Sequence, residues 1–203
     1  MTTQTRTRPL PSGAYSGQPW RIHEIAGDFD LEDTWALPAH GDAGDFPRFV
    51  EAMMSTDSRE FPAAYRFLFA VRWALGRVLG TDADQHGLGH RVTPLRDRLP
   101  EDLRDRPVPE RDTGPFEPLY LTDREYAAEI ANRTVHGVLH LGWAEDATAP
   151  GGHTAQLSVL VRPNGRLGEA YLAFIKPFRY AVVYPALLRT VGRRWDSVRS
   201  VAR

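Results

Sequence analysis

The apolar positions are most regular between Leu167 and Trp195, in LGEAYLAFIKPFRYAVVYPALLRTVGRRW. Here Leu167, Ala170, Tyr171, Phe174, Ile175, Phe178, Val182, Pro185, Leu188 and Val191 recur at steps of three and four. That spacing predicts a long helix. Leu172, Val183 and Leu187 fall on its other side, so the helix is apolar nearly all round and is expected to be wrapped by protein on most sides. Pro177 and Pro185 each remove an i to i−4 hydrogen bond and are expected to kink or divide it. One polar line runs along it, Lys176, Tyr180 and Tyr184, spaced four apart. An amine and two phenols in such a setting must reach water or find partners.

Before this helix the pattern is that of strands. Phe116 to Leu121 is short and apolar, and Tyr126 to Asn132 sets Tyr126, Ala128 and Ile130 on one face. Thr134 to Trp143 puts Val135, Leu139, Leu141 and Trp143 on one side and Thr134, His136, Val138 and His140 on the other. HTAQLSVLV adds a strand with Ala155, Leu157, Val159 and Val161 inward, and Pro163-Asn164-Gly165 turns the chain into the helix. Earlier, a poor alternation over Trp20 to Ala26 predicts one more strand. Asp45 is placed to cap a helix carrying Phe46, Phe49, Val50 and Met53, and a second helix is expected from Pro62 to Leu79, with Arg72 interrupting its apolar stripe. The acidic clusters Asp28/Asp30/Glu32/Asp33 and Asp42/Asp45 read as turn residues and helix caps. Residues 1–18 lack periodicity and read as a mobile arm, leaving 19–203 as one domain.

Composition narrows the function classes. The chain has 203 residues, enough for one substantial core, with 25 basic against 26 acidic residues. That balance, without a basic run, argues against a nucleic-acid partner. The absence of cysteine excludes disulfides, thiolate metal sites and a cysteine nucleophile. The N-terminus carries no apolar stretch of the kind a secretory signal needs, and the most apolar window contains Lys176, Arg179 and two prolines; the expectation is a cytoplasmic protein without membrane insertion.

The HxxxH pair His136/His140 invites a zinc reading that geometry opposes. In a strand these residues stand about 13 Å apart, too far for one ion. Gly137 also occupies the place of the glutamate that HExxH requires. A hydrogen-bonded or solvent-facing pair is expected, either member being a candidate general base if that face meets a cavity. Neither metal nor cofactor is implied, and no nucleophilic triad, phosphate loop or dinucleotide motif is present.

The element order gives an α+β protein, a curved antiparallel sheet wrapped around the C-terminal helix with a cavity between them, which is a helix-grip layout. NRTVHGVLHLGW, followed by LSVLVRPNGRLGEAYLAFIKPFRYAVVYPALLRTVGRRW, resembles the C-terminal half of a bacterial family known as domain of unknown function 2867. The resemblance is specific from Asn132 to Trp195 and weaker from Trp20 to Gly80, through DFDLEDTW. It implies an actinobacterial type of protein and the START-like, polyketide-cyclase-like superfamily, but no established catalytic residues. Many relatives have histidine where this chain has Tyr180.

Three readings follow, the third being an interaction module whose helix is buried with no cavity at all. In the first, the protein binds a small, largely apolar molecule, with Trp143, Tyr171, Phe174 and Phe178 as apolar wall and Arg72, Lys176, Tyr180 and Tyr184 as polar contacts; an acidic ligand at Lys176 is then expected. In the second, it is a cyclase, isomerase or dehydratase acting on a polyketide-like substrate, with His136, His140, Tyr180 or Lys176 moving a proton.

Overall fold

The computed structural model describes residues 9–54, 92–108, 116–131 and 134–201. The helix expected from Pro62 to Leu79, and Arg72 with it, lies outside them. The described elements are α1 (Gly13–Ser16), α2 (Ile22–Ile25), β1 (Asp30–Gly41), α3 (Phe46–Met54), α4 (Glu101–Arg104), β2 (Glu117–Leu121), β3 (Glu125–Ala131), β4 (Val135–Glu145), β5 (His153–Pro163), α5 (Gly165–Phe178), a π turn (Arg179–Val183) and α6 (Tyr184–Val201). The class is α+β. Among the described residues the five strands form one antiparallel sheet in the order β1-β5-β4-β3-β2, a meander from β2 to β5 to which β1 adds at the far edge.

Two expectations near the N-terminus are corrected. Trp20 to Ala26 is not a strand: Ile22 and Ile25, three apart, are both buried from the short helix α2, the spacing a helix satisfies. Of the first acidic cluster only Asp28 stands in a turn; Asp30, Glu32 and Asp33 belong to the twelve-residue strand β1, in which Asp33, Trp35, Leu37 and Ala39 alternate inward. Pro38 disguises this strand, and it is tolerated because β1 is an edge whose ladder is irregular between Ala36 and His40. Residues 9–18, the described part of the expected arm, are packed onto the body: the Leu10 amide donates to the Thr34 carbonyl at 2.7 Å and Tyr15 is buried.

The C-terminal helix divides into halves of different character, which corrects the expectation that protein wraps all of it. In α5 only Gly168 and Ile175 are buried, while Leu167 and Phe174 are 46% and 69% exposed. In α6 one stripe, Tyr184, Leu188, Val191 and Trp195, enters a core with Trp35, Leu37 and Trp143. Pro177 and Pro185 cannot donate to the carbonyls four residues back, and the π turn between them takes up the mismatch without ending the helix. The cap expected at Asp45 falls instead on Asp42, at the head of a 3-10 turn (Ala43–Asp45) that runs into α3; Asp45 is the third residue of that capping box and accepts the Asp42 amide at 2.9 Å. Phe46 and Phe49 of α3 are fully buried against Trp143. Burial of such side chains is worth about 1.5–3 kcal/mol each. Arginines tie the helices together at their ends: Arg194 Nε donates to the Ala52 carbonyl at 2.6 Å and Arg48 Nη2 to that of Val198 at 2.6 Å.

The other face of the sheet is covered by α1, α2 and the segment 92–108, around Ile22, Ile25, Leu95, Leu103 and Leu119. Trp20 seats directly on β4, where Gly142 leaves room; a Cβ there would stand 2.8 Å from the indole. Among the described residues no helix is long and apolar enough to cross a membrane.

Candidate functional site

The polar line of the C-terminal helix finds its partners on β1. Arg179, the first residue of the π turn, points inward and is buried; its Nη2 donates to Asp33 Oδ2 at 2.9 Å and to the Tyr184 hydroxyl at 2.5 Å. The Tyr184 hydroxyl donates in turn to Asp33 Oδ1 at 2.5 Å, closing a ring of three side chains. Beside it Lys176 Nζ lies 3.1 Å from Glu32 Oε1, with Arg179 Nη1 3.9 Å from the same oxygen. Tyr180 joins the group, its ring 5.8 Å from Tyr184, 5.5 Å from Trp35 and 5.9 Å from the Lys176 ammonium. Two irregularities meet here. The β1 ladder shifts register between Leu31 and Asp33, so that Glu32 and Asp33 both reach the cluster, and the helix widens into its π turn opposite them. Bulges of both kinds re-aim side chains and are over-represented at functional sites.

The electrostatics follow from burial. Burial pushes the Asp33 carboxyl up, against the pull of Arg179 and the hydrogen bond from Tyr184. A neutral Asp33 would leave the buried guanidinium without its counter-charge, so the pair is ionised. Burial alone would lower Arg179, but Tyr184, Asp33 and Glu32 hold it above its ordinary value. The Tyr180 phenol is pushed up to about 12 by burial and by the negative charges of Asp33 and Glu32. It is therefore a hydroxyl at neutral pH, able to donate and accept a hydrogen bond but not to act as a base.

In register with Asp33 the same face becomes apolar. Asp33 pairs with Val159, and Val159 pairs with Leu139, so these three side chains form a row across β1, β5 and β4. Val159 and Leu139 are only half-buried, as are Phe116, Leu121, Leu187 and Tyr180, which pack around the edge of this core. A polar cluster thus stands at one end of a partly open apolar strip.

The expected site residues are distributed as follows. Lys176, Tyr180 and Tyr184 come together. Trp143 lies on the same sheet face but in the closed core, between Phe46, Phe49 and Trp195, with its Nε1 donating to the Asp42 carbonyl at 2.9 Å. Tyr171 and Phe178 are half-buried, and Phe174 points away from the sheet. His136 and His140 are on the opposite face. Each is buried against a glutamate of β3: His136 Nε2 lies 2.8 Å from Glu129 and His140 Nε2 3.2 Å from Glu125. Glu129 also accepts the Leu95 amide, and Glu125 accepts the Arg21 amide at 2.9 Å and the Tyr120 hydroxyl at 3.0 Å. The histidines are therefore hydrogen-bonded but not solvent-facing, and no single pocket against the C-terminal helix includes them together with Tyr180. Among the described residues no group of three or more His, Asp or Glu side chains is placed to hold one metal ion.

Sequence reasoning missed Glu32, Asp33 and Arg179 because β1 was read as turns. The signal for the buried glutamates was present: Glu125 and Glu129 are four apart on one strand, as His136 and His140 are on the next, and both pairs alternate away from the apolar face.

No curated protein and no solved structure matches the chain. A family described as protein of unknown function (DUF2867) matches residues 25–186, which takes in both the acidic strand β1 and the helix that answers it. With most of its length inside that match, the chain belongs to the DUF2867 family.

Proposed function

We propose that this protein binds a small, largely apolar molecule between the sheet and the C-terminal helix, in the manner of START-like helix-grip proteins. The observation that carries the reading is the half-buried row Val159–Leu139 in register with the Asp33–Arg179–Tyr184 cluster. Ligand sites are commonly apolar surfaces with a few convergent polar groups, and this strip has that make-up. Val159, Leu139, Phe116 and Leu187 supply the floor and walls, and Tyr180 with Lys176 stands at the polar end. Phe174 and Trp143 have no part in it. The alternative, acid–base catalysis on a polyketide-like substrate, would draw at this face on Tyr180 and Lys176, but a phenol held near 12 serves as a donor rather than a base and the Lys176 ammonium is paired with Glu32.

The test is uptake of the uncharged dye Nile red, followed by its fluorescence. The wild-type protein is expected to bind it, and Leu139→Arg, which sets a charge in the floor, to weaken binding by at least about tenfold while the protein remains folded. Absence of uptake, or equal uptake by the folded variant, overturns the reading.

A further inference from the structure

The charges of the polar end are already matched to one another, and this bears on what kind of molecule fits there. Arg179 is enclosed by Asp33 and Tyr184, and Lys176 is paired with Glu32. Two cations thus face two carboxylates. An acidic ligand, the expectation raised by Lys176 considered alone, would bring a third negative charge beside Glu32 and Asp33 as it left water. An amine would bring a third positive charge beside Lys176 and Arg179. Either adds a desolvated charge without a counter-charge, which is costly.

What the cluster leaves unsatisfied is smaller and neutral. Glu32 Oε1 is buried and accepts no hydrogen bond: Lys176 lies 3.1 Å away as an ion pair but is not aligned to donate. Such an oxygen calls for a donor. Next to it is the Tyr180 phenol, which keeps its proton and shares it with Asp33. Lys176 contacts both, the Glu32 carboxylate and the Tyr180 ring. A small chemical group that donates to a carboxylate oxygen without carrying charge is a hydroxyl.

We infer that the ligand is an apolar molecule ending in an uncharged hydroxyl, which donates to Glu32, and that Glu32 is the residue that rejects acids. This inference rests on the binding reading above, and the following experiment separates the two. Nile red bound to the protein is displaced with three probes of equal chain length, 1-decanol, decanoate and decylamine, at pH 7.5. Decanol is expected to displace the dye at a concentration at least about tenfold lower than either charged probe, since each of those must bury an unmatched charge. In Glu32→Gln, two cations face one carboxylate, and the preference for decanol over decanoate should shrink by about tenfold or reverse. Lys176→Met changes the balance the other way and should widen that preference. Decanoate competing as well as decanol in the wild type overturns the hydroxyl assignment while leaving binding intact, and so does a preference that neither variant moves. A protein from which none of the probes displaces dye overturns both readings.

Discussion

The two faces of the sheet handle buried charge differently. On the face under α1, α2 and the segment 92–108, two glutamate–histidine pairs repeat at a spacing of four residues along β3 and β4, sealed on all sides by apolar groups. Each carboxylate also takes backbone amides from the covering layer, Leu95 in one case and Arg21 in the other. These charges fasten one layer to another. On the helix side the charges gather at the rim of the core, where half of the Lys176 side chain and part of Tyr180 remain accessible and an apolar strip begins. Charge enclosed on every side holds structure together; charge at the open end of an apolar surface is available to something else. The histidines, chemically the most inviting residues in the sequence, fall in the first category.

The largest effect that would break this comparison comes from the sealed face. Glu129→Ala removes the acceptor of the Leu95 amide and leaves His136 buried without its partner, and it is expected to cost about 3–5 kcal/mol in denaturant unfolding. A loss below about 1 kcal/mol, the range of exposed ion pairs, would mean that this pair does not fasten the layers.

The response to acid gives a second, intermediate test, with opposite signs on the two faces. Burial lowers the pKa of His140 below its ordinary 6.5, with Glu125 only partly opposing. Burial would raise Glu125, but hydrogen bonds from His140, the Arg21 amide and Tyr120 bring it below its ordinary 4.5. For both groups the unfolded chain binds protons more readily than the folded one. Their stabilisation is therefore full above the unfolded values and is lost as pH falls, from about 6.5 downward for His140 and from about 4.5 downward for Glu125. Asp33, raised by burial, acts in the other direction: the folded state takes its proton first, and this contribution favours the fold as pH drops toward 4. His40, lowered by burial, adds to the loss below 6.5. Stability measured from pH 7 to 5 should decline, and His140→Gln should flatten the decline while Asp33→Asn leaves it in place. An unchanged slope in His140→Gln would remove His140 from the account.

The smallest effect sharpens the contrast between the two halves of the C-terminal helix. Phe174→Ser removes a large apolar side chain from α5, yet at 69% exposure it should change stability by no more than about 0.5 kcal/mol. Calorimetry showing a loss of several kcal/mol would mean that α5 is covered in solution.

What the chain determined by itself were the features set by local periodicity. The four strands from Glu117 to Pro163, the faces on which their apolar residues lie and the long helix interrupted near two prolines follow from steps of two and of three to four, which each segment carries within itself. The resemblance in NRTVHGVLHLGW and the helix after it likewise led to the family. Where the period was obscured, by Pro38 and three acids in β1 or by the four-residue length of α2, pattern and structure parted. Only the tertiary structure decided which apolar faces met a partner. The stripes on α5 and α6 look alike in sequence, but β1 runs beneath α6, while most of α5 remains exposed. It alone brought Asp33 within 2.9 Å of Arg179, 146 residues further along, and turned His136 and His140 away from the helix. A charge pair carries no period. Its partner is chosen by strand order and register, which depend on all five strands at once.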